Sequence, residues 1–280
     1  VGRHVSQPAS APLALRGALR HGLRMSRTLA RALHRMARAA TAIMRPERRA
    51  STLALLHEAT LQAVEVPTSA GLLRVLCPSN RALHDPQGFG RDEPETVAWI
   101  EGLPADAVLW DIGANIGLYS LFAAKRGLRV LAFEPSAASF AGLVASAEAN
   151  GLDRRIDAYC LALDAAPRLA RLEMASSAAG HSMHSIEGAP GRFSQAVPAL
   201  SIDRLVADFG APPPSHIKLD VDGIEAAILR GGAATLRSVR EVLVEVEGTA
   251  AETAIPALLE QAGLRPTGQP GRNRRFARLS

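Results

Sequence analysis

Val108-Leu109-Trp110-Asp111-Ile112-Gly113-Ala114-Asn115-Ile116-Gly117 is the stretch whose reading decides the fold. Val108–Ile112 is apolar except for Asp111, which suits a strand covered on both faces, and a short glycine turn then leads into a helix over Leu118–Arg126 with Gly127 just past its end. The same alternation continues downstream. Arg129–Phe133 reads as a strand, Ser136–Ala149 as a helix closed by Asn150-Gly151, and Ile156–Leu163 as a third strand. After residues 164–215, rich in Ala, Ser, Gly and Pro and read as further strands and loops near the active site, come a strand Ile217–Val221, a helix Ile224–Leu229 ending at Gly231-Gly232, and a strand Val239–Val246. Alternating strands and helices predict an α/β, Rossmann-like, doubly wound and mostly parallel sheet.

Outward from this body, residues 60–85 alternate apolar and polar around Pro67-Thr68-Ser69-Ala70-Gly71, the pattern of a β-hairpin capping one side of the domain. Asp92-Glu93-Pro94-Glu95-Thr96 then supplies the acids and proline of a helix start. The spacing predicts an arm over 1–50, a hairpin region over 51–91, a catalytic domain over 92–264 and a basic tail over 265–280.

The net charge of +5 is unevenly spread. Residues 1–50 hold 11 Arg, no Lys and one acid (Glu47), a net of +10, so residues 51–280 carry −5. Leu15, Leu19, Leu23, Leu29, Leu33, Met36 and Ile43 recur beside Arg16, Arg20, Arg24, Arg27, Arg31, Arg35 and Arg38, the pattern of an amphipathic basic helix. Three readings fit residues 15–44: peripheral contact with an anionic membrane, a transit peptide, or translated sequence upstream of a later start at Met25 or Met36. Cys77 and Cys160 form neither a disulfide framework nor a zinc pattern, which points to the cytoplasm; no uncharged apolar run is long enough to span a membrane.

Ligands in open α/β sheets bind beyond the carboxyl ends of the strands, where strand order reverses. Asp111, Glu134 and Asp220 fall at or near such ends. Gly113 and Gly117 tolerate positive φ and would let the backbone approach a ligand. The spacing is Gly-x-Asn-x-Gly, with Asn115 where the dinucleotide fingerprint has its middle glycine, so a pyrophosphate is disfavoured. S-adenosylmethionine is a cationic cofactor without pyrophosphate and suits this acid-bearing strand end. Glu134, 21 residues after Gly113, stands where a carboxylate accepts ribose hydroxyls, and Pro135 stops its strand. Taken singly, Asp111 also reads as a capping acid and the glycines as simple turn residues.

Asp111 to Ser120, then Phe133-Glu134-Pro135-Ser136, then Ile217-Lys218-Leu219-Asp220-Val221-Asp222-Gly223-Ile224-Glu225 with Leu229-Arg230-Gly231-Gly232, resemble the FkbM family of methyltransferases over roughly residues 92–248. The resemblance implies a class I methyltransferase fold and methyl transfer to a hydroxyl oxygen. Asp222 departs from the family pattern, where Glu is common, and its carboxylate reaches one methylene less far.

Methyl transfer needs alignment and, for a hydroxyl acceptor, a base. Asp220 is the first candidate for acceptor orientation or proton removal, with Lys218 holding it ionised; Asp222 and His181 complete the candidate catalytic set. Asp222 and Glu225 also read as acids favouring a helix amino end, and Lys218 as a sheet ion pair. Glu245 and Glu247 read as acceptor-pocket acids; no complete metal-ligand set emerges, so no metal is expected. The expected activity is O-methylation of a secondary metabolite, sugar or glycan. The competing readings are an N- or RNA methyltransferase and a non-catalytic membrane-peripheral protein. The acidic body and 4% aromatic content disfavour nucleic acid as a partner.

Overall fold

The structure is a computed structural model that describes residues 13–180, 185–186, 191–268 and 271–279. The chain divides into two compact units, Val1–Leu61 and Gln62–Ser280. The first contains α1 (Leu13–Ala40) and α2 (Pro46–Ala59), and α2 runs across residue 50, where the sequence suggested the end of an arm. Among the described residues no helix is long and apolar enough to cross a membrane.

The second unit opens with the expected hairpin, β1 (Gln62–Thr68) and β2 (Gly71–Cys77), antiparallel with Thr68 opposite Gly71. Two short helices follow, α3 (His84–Gly88) and α4 (Pro94–Gly102). Next come β3 (Val108–Ile112), α5 (Leu118–Lys125), β4 (Arg129–Phe133), α6 (Ala137–Ala149) and β5 (Ile156–Tyr159). The hairpin is held on α6 by polar groups that complete its open edge. Asn150 accepts from the Arg74 N–H at 2.9 Å and donates to the Arg74 carbonyl at 2.7 Å, and Ser146 Oγ accepts from the Leu76 N–H at 2.9 Å.

The strand expected over 156–163 is broken. After β5 the chain leaves the main sheet, and β6 (Ala162–Leu163) begins a separate four-stranded sheet with β7 (Arg168–Met174), β8 (Ser185–Ile186) and β9 (Phe193–Leu200), in the order β6-β9-β7-β8. Ala162, Ala170, Leu172, Met174, Val197 and Ala199 form its own small core, and the further strands expected within residues 164–215 are β7, β8 and β9. Then follow α7 (Ile202–Phe209), β10 (His216–Leu219), α8 (Glu225–Arg230), β11 (Glu241–Glu245), α9 (Thr249–Gln261), β12 (Leu264–Thr267) and β13 (Asn273–Arg278). Residues 265–267 and 273–278, expected as part of a tail, therefore belong to the sheet. Their alternation places Phe276 in the core while the arginines around it remain at the surface.

The main sheet has the order β12-β13-β11-β10-β3-β4-β5, with β11 to β5 parallel and the last two strands antiparallel. From β3 the chain builds outward through β4 and β5, then returns to add β10 and β11 on the other side. The switch point therefore lies between β3 and β10. Alternate residues feed two cores: Leu109, Val130 and Ala132 meet Leu121 and Phe122 on one face, while Trp110, Ile112, Leu131, Phe133, Ile217 and Val244 pack on the other. Asp111, Lys218 and Glu245 share parity with the first face, so the charged side chains of three strands gather on one side of the switch point.

Candidate active site

The turn after β3 is built around three left-handed residues, Gly113 (φ 85°), Asn115 (φ 51°) and Gly117 (φ 83°). A Cβ on Gly113 would lie 1.9 Å from the Asp220 carbonyl oxygen, and one on Gly117 would lie 2.6 Å from Leu143 Cγ. The absent side chains thus let the ends of β3 and β10, and the helices α5 and α6, come together; this is the packing role of these glycines, beside the ligand approach expected for them. Gly113 and Ala114 N–H groups both donate to the Phe133 carbonyl, at 3.0 and 3.1 Å, tying the turn to the end of β4.

Glu134 follows that carbonyl. Its Oε2 accepts from the Asn115 N–H at 2.8 Å and its Oε1 from the Ser136 N–H at 2.7 Å, so one carboxylate joins the glycine turn to the start of α6. Burial pushes its pKa up to about 7 despite these two donors. Pro135 is fixed from the second sheet: Gln195 Nε2 donates to its carbonyl at 2.8 Å, and Gln195 Oε1 accepts from the Ala137 N–H at 3.1 Å. Asn115 Nδ2 donates to Asp85 Oδ2 at 3.3 Å, while Asn115 Oδ1 is buried and finds no donor among the described residues.

Across the switch point, Lys218 is opposite Asp111 in the register of β10 and β3. Its Nζ is 4.0 Å from Asp111 Oδ1, donates to Asp220 Oδ2 at 2.7 Å, and stands 5.1 Å from the centre of the Tyr119 ring. Burial opposes the Lys218 charge, but Asp220 and Asp111 outweigh it and raise its pKa. Burial likewise raises Asp220, yet Lys218 prevails and lowers its pKa, so Asp220 is ionised at neutral pH. Asp111 is completely enclosed. Its Oδ2 accepts from Ser120 Oγ at 2.5 Å, Oδ1 has no hydrogen-bond donor among the described residues, and burial raises its pKa.

Extending the strand register by one residue sets Glu245 beside Asp220, since Leu219 is opposite Val244. Burial and then the Asp220 carboxylate push the pKa of Glu245 up to about 8. Below that pH the Asp220–Glu245 pair holds one proton in a hydrogen bond between the two carboxyl groups. Arg272 closes the row, paired with Glu245 and, at 3.7 Å, with Glu247.

These elements enclose a cleft of about 590 Å³, in the size range of small-molecule sites. Gly113, Asn115, Glu134, Pro135, Lys218, Asp220 and Asp222 line it. Asp111 and Gly117 are not among the lining residues: Asp111 is turned into the sheet as a counter-charge to Lys218, and Gly117 faces Leu143. His181 lies outside the described residues. Asp85, Glu93, Tyr119 and Arg272 also line the cleft and were missed as site residues. Tyr119 lay within a recognised motif, and Glu93 was read only as a helix-start acid; Asp85 and Arg272 carry no local signal. Among the described residues no group of three or more metal-type side chains converges.

A cationic cofactor with an amino-acid head group and a ribose fits the donor set. The lining is rich in carboxylates, Asn115 offers a buried acceptor that has no partner among the described residues, and Glu134 stands at the end of β4, where each of its oxygens accepts one backbone N–H and has a further lone pair for a hydroxyl donor.

Residues 111–265 match the family described as the methyltransferase FkbM domain. Hexuronic acid methyltransferase AglP of Haloferax volcanii is 30% identical over 167 residues, covering 59% of this chain and 66% of that protein. Among solved structures, methyltransferase FkbM from Methylobacillus flagellatus is 15% identical with a TM-score of 0.45, covering 63% of this chain and 45% of that one. Magnesium protoporphyrin IX methyltransferase of Synechocystis, solved with bound SAM, is 11% identical with a TM-score of 0.43, covering 72% of this chain and 85% of that one.

Proposed function

This chain belongs to the FkbM methyltransferase family, and we propose from that premise that it transfers a methyl group from S-adenosylmethionine to a hydroxyl oxygen of a sugar or glycan. The observation that carries the reading is the position of Asp220, ionised by Lys218, on the same cleft as the Gly113–Gly117 turn and Glu134. The sugar acceptor draws support from the hexuronic acid named for the Haloferax relative, of whose length this chain covers 66%.

In this reading Glu134 accepts the ribose hydroxyls, and Asn115 takes a donor from the head group through its unpartnered Oδ1. S-adenosylmethionine supplies an activated methyl on a sulfonium, a leaving group that needs no acid. The chain's own task is to align the acceptor and hold its proton. Asp220 receives the hydroxyl proton as the oxygen forms its new bond to carbon, and Lys218 keeps Asp220 ready for it. Asp222, at the same rim, orients the acceptor through a second hydroxyl.

Calorimetry with S-adenosylmethionine and with NAD, followed by an assay on hexuronic acids and neutral sugars, tests the reading. D220N is expected to keep cofactor affinity within a few-fold and to lower turnover by about 10²-fold or more. Binding of NAD in place of S-adenosylmethionine, or wild-type turnover in D220N, would overturn it.

A further inference from the structure

The described part of α1 keeps its arginines and its large apolar residues apart. At about 100° per residue, Arg27, Arg31, Arg35 and Arg38 fall within an arc of about 80°, whereas Leu29, Leu33 and Met36 fall within about 60° on the opposite side. The three apolar side chains are 61%, 55% and 66% exposed, and Ile43, just beyond the helix, is 94% exposed. No acid precedes Glu47 anywhere in the chain.

Charge decides what covers this face. A second copy packed on the apolar stripe would leave both arginine rows, on the far side of each helix, with no carboxylate on either helix to pair them. A nucleic acid would meet the arginines and leave Leu29, Leu33 and Met36 in water. An anionic lipid surface satisfies both sides of the helix at once: the apolar stripe enters the boundary of the acyl chains, and the long arginine side chains reach the phosphates. A helix with this charge and without a spanning apolar run lies in the plane of the surface rather than across the bilayer.

We propose that α1 binds anionic membranes as an interfacial helix, with Leu29, Leu33 and Met36 inserted below the headgroups and Arg27, Arg31, Arg35 and Arg38 held against lipid phosphate. This assignment stands independently of the methyl acceptor.

Sedimentation of the full chain with vesicles tests it. The protein is expected to pellet with phosphatidylcholine–phosphatidylglycerol vesicles and to stay in solution with phosphatidylcholine alone. R31Q/R35Q and L29E/L33E should each lower the partition by at least about tenfold. In M36W, read as the difference from the wild type so that Trp99 and Trp110 cancel, emission should shift to the blue on anionic vesicles and be quenched by brominated lipid. Failure of the wild type to pellet with anionic vesicles at low salt would overturn the proposal. So would wild-type pelleting of L29E/L33E, the behaviour of a binder of polyanions such as RNA, or an unshifted M36W difference spectrum.

Discussion

The ammonium of Lys218 donates to Asp220 Oδ2 at 2.7 Å, from a strand position directly opposite Asp111. One buried cation thus serves two carboxylates of different fate: Asp111 is sealed inside the sheet, and Asp220 is about one-third exposed to the cleft (32%). K218M removes the charge that keeps Asp220 ionised and leaves Asp111 without a counter-ion. Turnover at neutral pH should fall and recover in part as the pH is raised. Stability should drop by roughly 2–4 kcal/mol, the lower end reflecting solvent screening at Asp220. The wild type loses the Asp220 contribution only as pH falls below the ordinary value of 3.8, so urea unfolding at neutral and acid pH separates the two proteins.

Glu245 predicts the shape of the pH–rate profile. Below about 8 the Asp220–Glu245 pair holds one proton, and above it both groups are ionised and Asp220 becomes the stronger base. The rate on a hydroxyl acceptor should therefore rise through about pH 8. E245Q cannot lose that proton and should show a flat profile across the same range. A wild-type rise retained in E245Q would assign the ionisation elsewhere.

Glu134 predicts a stability effect of the opposite sign to that of Asp220. Its folded pKa of about 7 exceeds the ordinary 4.5, so the folded state binds the proton more tightly, and this stabilisation is full below 4.5 and lost as pH rises through 7. The loss is on the order of 3 kcal/mol. Glu245 adds to it in the same direction. E134Q should flatten the fall in melting temperature between these limits while weakening S-adenosylmethionine affinity by about tenfold or more, the equivalent of roughly one hydrogen bond to a charged group.

Two glycines with positive φ separate strain from crowding. Gly127 (φ 101°) has nothing within 4 Å of a Cβ, whereas Gly113 (φ 85°) has the Asp220 carbonyl at 1.9 Å. G127A should cost about 1 kcal/mol from backbone strain alone. G113A should cost more than about 3 kcal/mol and should also lower turnover, because it displaces the strand end that carries Asp220. Equal destabilisation in chemical denaturation would remove the close contact from the account.

The sequence by itself determined the central alternation from Val108 to Ala149 and the place of Glu134 at a strand end. Apolar runs, helix stops and glycine turns are local consequences of backbone geometry and solvent. It also exposed Lys218 and Asp220 as neighbours two residues apart at the end of a strand, where a side-chain period of two puts them on one face. Tertiary structure alone decided the rest. Asp111 looked like a cofactor acid, but the register of β3 against β10 turns it toward Lys218. Gly113 looked like a place for ligand approach, and the structure adds a packing reason for glycine there, the Asp220 carbonyl 1.9 Å from where a Cβ would stand. Asp85, Gln195 and Arg272 reach the cleft or its walls from segments far apart in the chain. No local pattern records such meetings, because they arise from the order and register in which strands pair, and that order is fixed only when the whole sheet closes over its two cores.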